Sequence, residues 1–124
     1  MFNLDIEEIL DKLEEVRCKE TNIKYRNING EIQVASLYLF SKGEFTEGQL
    51  GYREDENGNS LIKNIEGYWK DSWFVIGYDE EVGDPIFIDI SNKDVPVLVA
   101  EHGMDEWEPF VLYNSFENFI KDIQ

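Results

Sequence analysis

The chain has 124 residues, with 27 Asp and Glu against 11 Lys and Arg, a formal net charge of -16 and a pI near 4.2. A length close to that of one ordinary domain leaves too little chain for two independent cores, so a single domain over residues 1–124 is expected, and 42% hydrophobic and 14% aromatic residues exclude wholesale disorder. The negative field argues against nucleic acid and anionic membranes as direct ligands and favours a basic partner.

In chain order, Ile6, Ile9, Leu10, Leu13 and Val16 recur at helical spacing, with Asp5 and Glu8 arranged as a capping box. This predicts an amphipathic helix over about residues 4–17. The same segment has neither the basic nor the continuous apolar region of a signal peptide, and no later stretch approaches the roughly 20 apolar residues of a membrane span. With one cysteine, Cys18, the chain has no internal disulfide and no metal-type cysteine spacing, so a cytoplasmic location is expected. Cys18 reads as a small apolar residue at the end of the helix. From Asn22 to Phe40, Ile23, Tyr25, Ile32, Val34, Leu37 and Leu39 alternate around Asn29-Gly30, predicting two strands joined by a two-residue turn. The Gly-, Asn- and acid-rich stretch 41–60 reads as loop with a helical turn around Phe45. Its Asp55, Asn57 and Asn59 resemble calcium ligands, but the glycine and bidentate Glu that an EF-hand needs are out of register.

The runs Trp73–Tyr78, Ile86–Ile88 and Val95–Ala100 predict three consecutive strands, separated first by Asp79-Glu80-Glu81 and Gly83-Asp84-Pro85. Pro96 falls near the start of the third, where a missing amide does least harm to a ladder. Asn114, Ser115 and Glu117 form an N-cap group ahead of Phe116, Phe119, Ile120 and Ile123, which share a helical face. The predicted architecture is α+β, with the helices on one face of a mostly antiparallel or mixed central sheet.

No motif for catalysis stands out. His102 is the only histidine, and neither a Gly-x-Ser-x-Gly elbow, a phosphate loop nor a dinucleotide fingerprint is present, so no cofactor and no enzymatic activity are predicted. Carboxylate pairs such as Asp84 with Asp89, or Asp105 with Glu106, are too common in this chain to mark acid–base chemistry. Asp84 before Pro85 suits a turn. The informative pattern is aromatics interleaved with acids over 104–110, together with the acidic turn at 79–81, because aromatic anchors and directional charge make binding surfaces. The candidate partner-binding residues are therefore Asp79, Glu80, Glu81, Asp84, Asp105, Glu106, Trp107 and Glu108. The competing reading places Trp107 and Phe110 in the core and leaves the acids to solvate a loop.

The run from Trp73 through Gly83-Asp84-Pro85 to Asp89, followed by Pro96-Val97, His102-Gly103, Trp107-Glu108-Pro109 and Ser115-Phe116-Glu117-Asn118-Phe119, resembles the SUKH superfamily, most strongly over residues 69–123. In the first half the family's Leu-Pro-x-x-Tyr helix and Asn-Gly-Gly turn are not evident, and Asn29-Gly30 is a faint echo. The resemblance implies an α+β fold with a central sheet flanked by helices. It also implies protein binding in one of two forms, a bacterial immunity protein that neutralises a toxin, often a nuclease, or a fungal cell-wall assembly regulator, and the alternative for this chain is a cell-wall-related regulatory or scaffold adaptor without a toxin partner. Joined to the net charge, it makes an inhibitor of a basic toxin domain the leading expectation.

Overall fold

The computed structural model describes residues 6–16, 21–27, 29–63, 65–103 and 105–123. Helix α1 (Ile6–Val16) buries Ile9, Leu13 and Val16, the stripe expected when one helical face meets a core. Asp5, half of the expected capping box, and Cys18 lie outside the described residues. Strands β1 (Thr21–Arg26) and β2 (Ile32–Leu39) pair antiparallel, from Thr21 with Leu37 to Arg26 with Ile32. Their connection is longer than the predicted two-residue turn, spanning 27–31. Asn27 closes it: its side-chain oxygen accepts the N–H groups of Asn29 and Glu31, its carbonyl accepts that of Gly30, and Gly30 takes a φ of 80°.

Strands β3 (Trp73–Asp79), β4 (Pro85–Asp89), β5 (Val97–Val99) and β6 (Phe110–Tyr113) continue one six-stranded sheet, every strand antiparallel to its neighbour in sequence. Helix α2 (Phe116–Ile123) closes the chain, with the Ser115 hydroxyl accepting the Asn118 N–H at 3.1 Å as its N-cap. The predicted α+β architecture is therefore observed. The last two strands also differ from expectation. The third predicted strand starts later, at Val97, because Val95 has a φ of 51° and Pro96 offers no amide. The strand β6 was not predicted, its first residue having been read as the end of the acidic and aromatic run.

The sheet is covered on both faces. On one, Ile9 and Leu13 of α1 and Phe116 and Phe119 of α2 pack with Ile23, Leu37, Ile86, Ile88 and Val97. On the other, Trp69, Trp73, Val75, Phe87 and Leu98 form a second, aromatic-rich layer flanked by Tyr52 and Trp107. The alternation of β3 explains how one strand serves both layers: Trp73 and Val75 point one way and Ile76 the other. A register shift between Val75 and Gly77 follows, and Gly77 lets β2 cross closely, since a Cβ there would lie 2.1 Å from the carbonyl oxygen of Tyr38.

The cover of the second layer comes from residues 40–72. Two 3-10 turns, Lys42–Glu44 and Glu47–Gln49, flank Phe45 where one helical turn was expected. Strand β2 pairs only with Gly77–Asp79 of β3, leaving the first half of that strand edge for other donors and acceptors. Gln49, 6% exposed, takes it over: its amide nitrogen donates to the carbonyls of Val75 and Phe45, each at 2.8 Å, and its oxygen accepts the Val75 N–H at 2.9 Å. The Arg53 guanidinium donates to the Trp73 carbonyl at 2.9 Å and lies 3.9 Å over the Phe74 ring. These polar side chains complete a strand edge that would otherwise hold buried, unpaired backbone groups. The Asp55 carboxylate is spent locally, accepting the N–H groups of Asn57 and Asn59 and the Asn59 amide, bonds that hold its pKa below the usual value. The calcium-like trio is thus an Asx turn. Among the described residues no three His, Cys, Asp or Glu side chains are grouped to hold a metal, and no helix is long and apolar enough to cross a membrane.

Candidate functional site

Because only Leu37–Leu39 of β2 pair with β3, the first half of β2 and its partner β1 extend beyond the sheet as a two-stranded arm. The arm is tied to the turn after β3 by the Glu80 N–H, which donates to the Ser36 carbonyl at 2.8 Å. Its Tyr25 ring meets the Phe110 ring of β6 with centroids 6.1 Å apart. Between the arm, the β3–β4 turn and the β5–β6 segment lies a cleft of about 380 Å³.

The lining combines apolar and acidic groups. Tyr25, Val34, Val82, Val99, Ala100 and Phe110 supply the former, with Val34 59% and Val82 55% exposed. Asp79, Glu81 and Asp84 enter from the β3–β4 turn, Glu101 from the end of β5 and Glu108 from the approach to β6. No lysine or arginine, and no serine, threonine or cysteine, lines it among the described residues. Two of the acids also build the turn. One Asp79 oxygen accepts the Glu81 N–H at 2.8 Å, and the Asp79 N–H donates to the Asp84 carbonyl at 2.9 Å. One Asp84 oxygen accepts the His102 N–H at 3.1 Å and lies 2.6 Å from His102 Nδ1. The negative field reaches the ring of Tyr25, whose hydroxyl is held above the usual tyrosine pKa by burial and then by the charges of Asp79 and Asp84.

The residues singled out in the sequence are divided by the fold. Asp79, Glu81, Asp84 and Glu108 converge on the cleft, whereas Glu80 and Asp105 are exposed elsewhere. Glu106 lies against Gly67, where a Cβ would come within 2.9 Å of its side chain. Trp107 belongs to the aromatic layer on the far face of the sheet, half-buried, with its ring 5.3 Å from Trp69 and 5.7 Å from Tyr52 and its backbone N–H donating to the Gly67 carbonyl at 2.9 Å. Tyr25, Val34, Val82, Glu101 and Phe110 line the cleft without having been named as candidates. Val82 adjoins the acidic turn at 79–81 and Phe110 ends the acid-and-aromatic run at 104–110, but only the curl of the sheet brings the arm opposite them.

A sequence model of the SMI1 / KNR4 family (SUKH-1) matches residues 5–122, extending over the first half of the chain as well as the second. No curated protein matches the chain, and no solved structure matches it. On a match that spans nearly its whole length, the chain belongs to the SMI1 / KNR4 family (SUKH-1).

Proposed function

We propose that the chain is a non-enzymatic, cytoplasmic, single-domain immunity protein that neutralises a basic bacterial toxin domain, such as a nuclease, by binding it through the acidic cleft and the surface around it. The observation that carries this reading is the convergence of five carboxylates, with no Lys or Arg among the described lining residues, on one concavity of a chain with a net charge of -16. A nuclease presents a basic groove to its substrate, and a surface of matching negative charge competes for that groove. Complementary fields raise association rates toward roughly 10⁸ M⁻¹s⁻¹ at low salt and disfavour acidic competitors. Membership in the SMI1 / KNR4 family is consistent with this role and equally with a regulatory adaptor, so the test must separate the two.

The experiment is affinity capture of the full chain from its native cells, identification of bound proteins by mass spectrometry, and expression of each one in a bacterial host with and without the chain. The reading predicts a basic protein that arrests growth when expressed alone and fails to do so when the chain is co-expressed. Capture of partners that are harmless alone would favour the adaptor role and reject immunity.

A further inference from the structure

The five acids of the cleft are not equivalent. Asp79 and Asp84 each have an oxygen committed to the turn and to His102, whereas among the described residues the carboxylates of Glu81, Glu101 and Glu108 accept no hydrogen bond and form no ion pair. Those three enter the lining from different segments, so a cation held in the cleft meets carboxylates on more than one side. The rest of the lining adds two constraints. The Tyr25 and Phe110 rings, tilted 53° to one another, offer aromatic surface inside the cleft, and the exposed Val34 and Val82 offer apolar contact beside it.

A lysine ammonium meets only part of this description, because it is a compact, strongly hydrated point charge. An arginine guanidinium is planar and weakly hydrated, stacks on aromatic faces and carries five donors in a fixed fork. The volume of about 380 Å³ falls at the small end of the roughly 300–1,000 Å³ of small-molecule clefts, room enough for one side chain and the residues beside it. We propose that the cleft receives an arginine side chain from an apolar-flanked segment of the partner. Its guanidinium is shared among Glu81, Glu101 and Glu108 against the Tyr25–Phe110 rings, and its neighbours rest on Val34 and Val82. This rests on the protein-binding reading above and names the group that such a partner inserts.

The test uses the full chain, ¹⁵N-labelled, titrated with three blocked tripeptides: Ac-Val-Arg-Val-NH2, its lysine counterpart and its citrulline counterpart, which keeps the shape of arginine without the charge. The inference predicts saturable amide shifts confined to the arm around 33–34, the turn at 79–84, residues 99–101 and residues 108–110. It also predicts at least about fivefold tighter binding of the arginine peptide than of the lysine peptide, and no saturation with citrulline. The double variant Glu81→Gln/Glu108→Gln, altered only at exposed side chains, loses about tenfold or more of the arginine affinity while its melting temperature stays within about 2 °C. Equal affinity for the arginine and lysine peptides, shifts scattered over the acidic surface, or no saturable shift up to about 10 mM peptide overturns it. If arginine selectivity fails while a captured basic toxin is still neutralised, this inference falls and the immunity reading stands. If selectivity is seen and no captured partner is toxic, the immunity reading falls and the arginine site remains.

Discussion

Gln49 gives the sharpest test of how the second core layer is closed. Its side-chain amide occupies the place of a neighbouring strand, donating to the Val75 carbonyl and accepting the Val75 N–H, while also donating to the Phe45 carbonyl. Replacing it with Met keeps the length and apolar contact but removes every one of these bonds. The Val75 amide and carbonyl are then left in the interior, 26 positions from their former partner in sequence. An unsatisfied buried backbone group costs about 1–3 kcal/mol, and two of them, partly relieved by relaxation of the loop, give an expected loss of about 2–4 kcal/mol. Gln49→Glu is expected to lose a similar amount, because a carboxylate still accepts the Val75 N–H but faces two carbonyls to which it cannot donate. Urea melts followed by tryptophan fluorescence measure the stability. Native-state hydrogen exchange supplies a local readout, since the Val75 amide is expected to exchange well before global unfolding in Gln49→Met and only with global unfolding in the parent chain. A loss below about 0.5 kcal/mol together with unchanged exchange at Val75 would refute the strand-replacement argument.

Three further outcomes follow from the packing. Phe87 is fully buried between Trp69 and Trp73, at centroid distances of 4.8 and 5.0 Å, so Phe87→Ala is expected to cost about 3–5 kcal/mol in a urea melt. Gly77→Ala drives a methyl into the Tyr38 carbonyl and the Leu39 backbone rather than into a flexible side chain. Its expected cost is about 1–3 kcal/mol or more, with faster amide exchange where β2 meets β3, and a stability equal to the parent would contradict the close crossing. Tyr113 has its pKa raised by burial and then by its hydrogen bond to Asp122, so folding favours its neutral form. The stabilisation is complete below the unfolded tyrosine value of about 10 and is lost as pH climbs above it toward the higher folded value. Thermal melts from pH 8 to 11.5 are therefore expected to fall more steeply above about pH 10 for the parent than for Tyr113→Phe, and parallel curves would count against this assignment.

The parts of this fold that were legible in the sequence are those whose signal is local. Ile9, Leu13 and Val16, and likewise Phe116, Phe119 and Ile120, carry a 3.6-residue period on their own segments, and the apolar runs of β3 and β4 announce strands without outside information. Strand β6 escaped because Phe110-Val111-Leu112-Tyr113 is short, follows an acidic segment and a proline, and does not alternate in burial. The cover over the aromatic layer escaped for another reason. Gln49 and Arg53 look like ordinary loop residues until the carbonyls they bind, about 20 or more positions away, are brought beside them. Gly77 in the middle of Trp73–Asp79 was an available sign of close backbone approach. The cleft was half legible. The acidic turn at 79–84 and Glu108 were visible as charge, but their union with Tyr25 and Val34 depends on the arm reaching across the sheet. Trp107 looked like an anchor on the same surface because it adjoins Glu108, yet successive residues leave a chain in different directions, and its ring is packed on Trp69 and Tyr52.

The central claim is that the carboxylates of the cleft steer a basic partner onto this chain. Its most direct test is the association rate with a purified, captured partner, measured by stopped flow at about 0.05 and 0.5 M salt, where the Debye length falls from about 14 to 4 Å. The comparison is between the parent chain and the triple variant in which Asp79, Glu81 and Glu108 are replaced by Lys. The account predicts a rate for the parent that drops about tenfold or more with salt, and a variant that is slower at low salt and nearly indifferent to it. An association rate that is the same at both salt concentrations and in both proteins would contradict it.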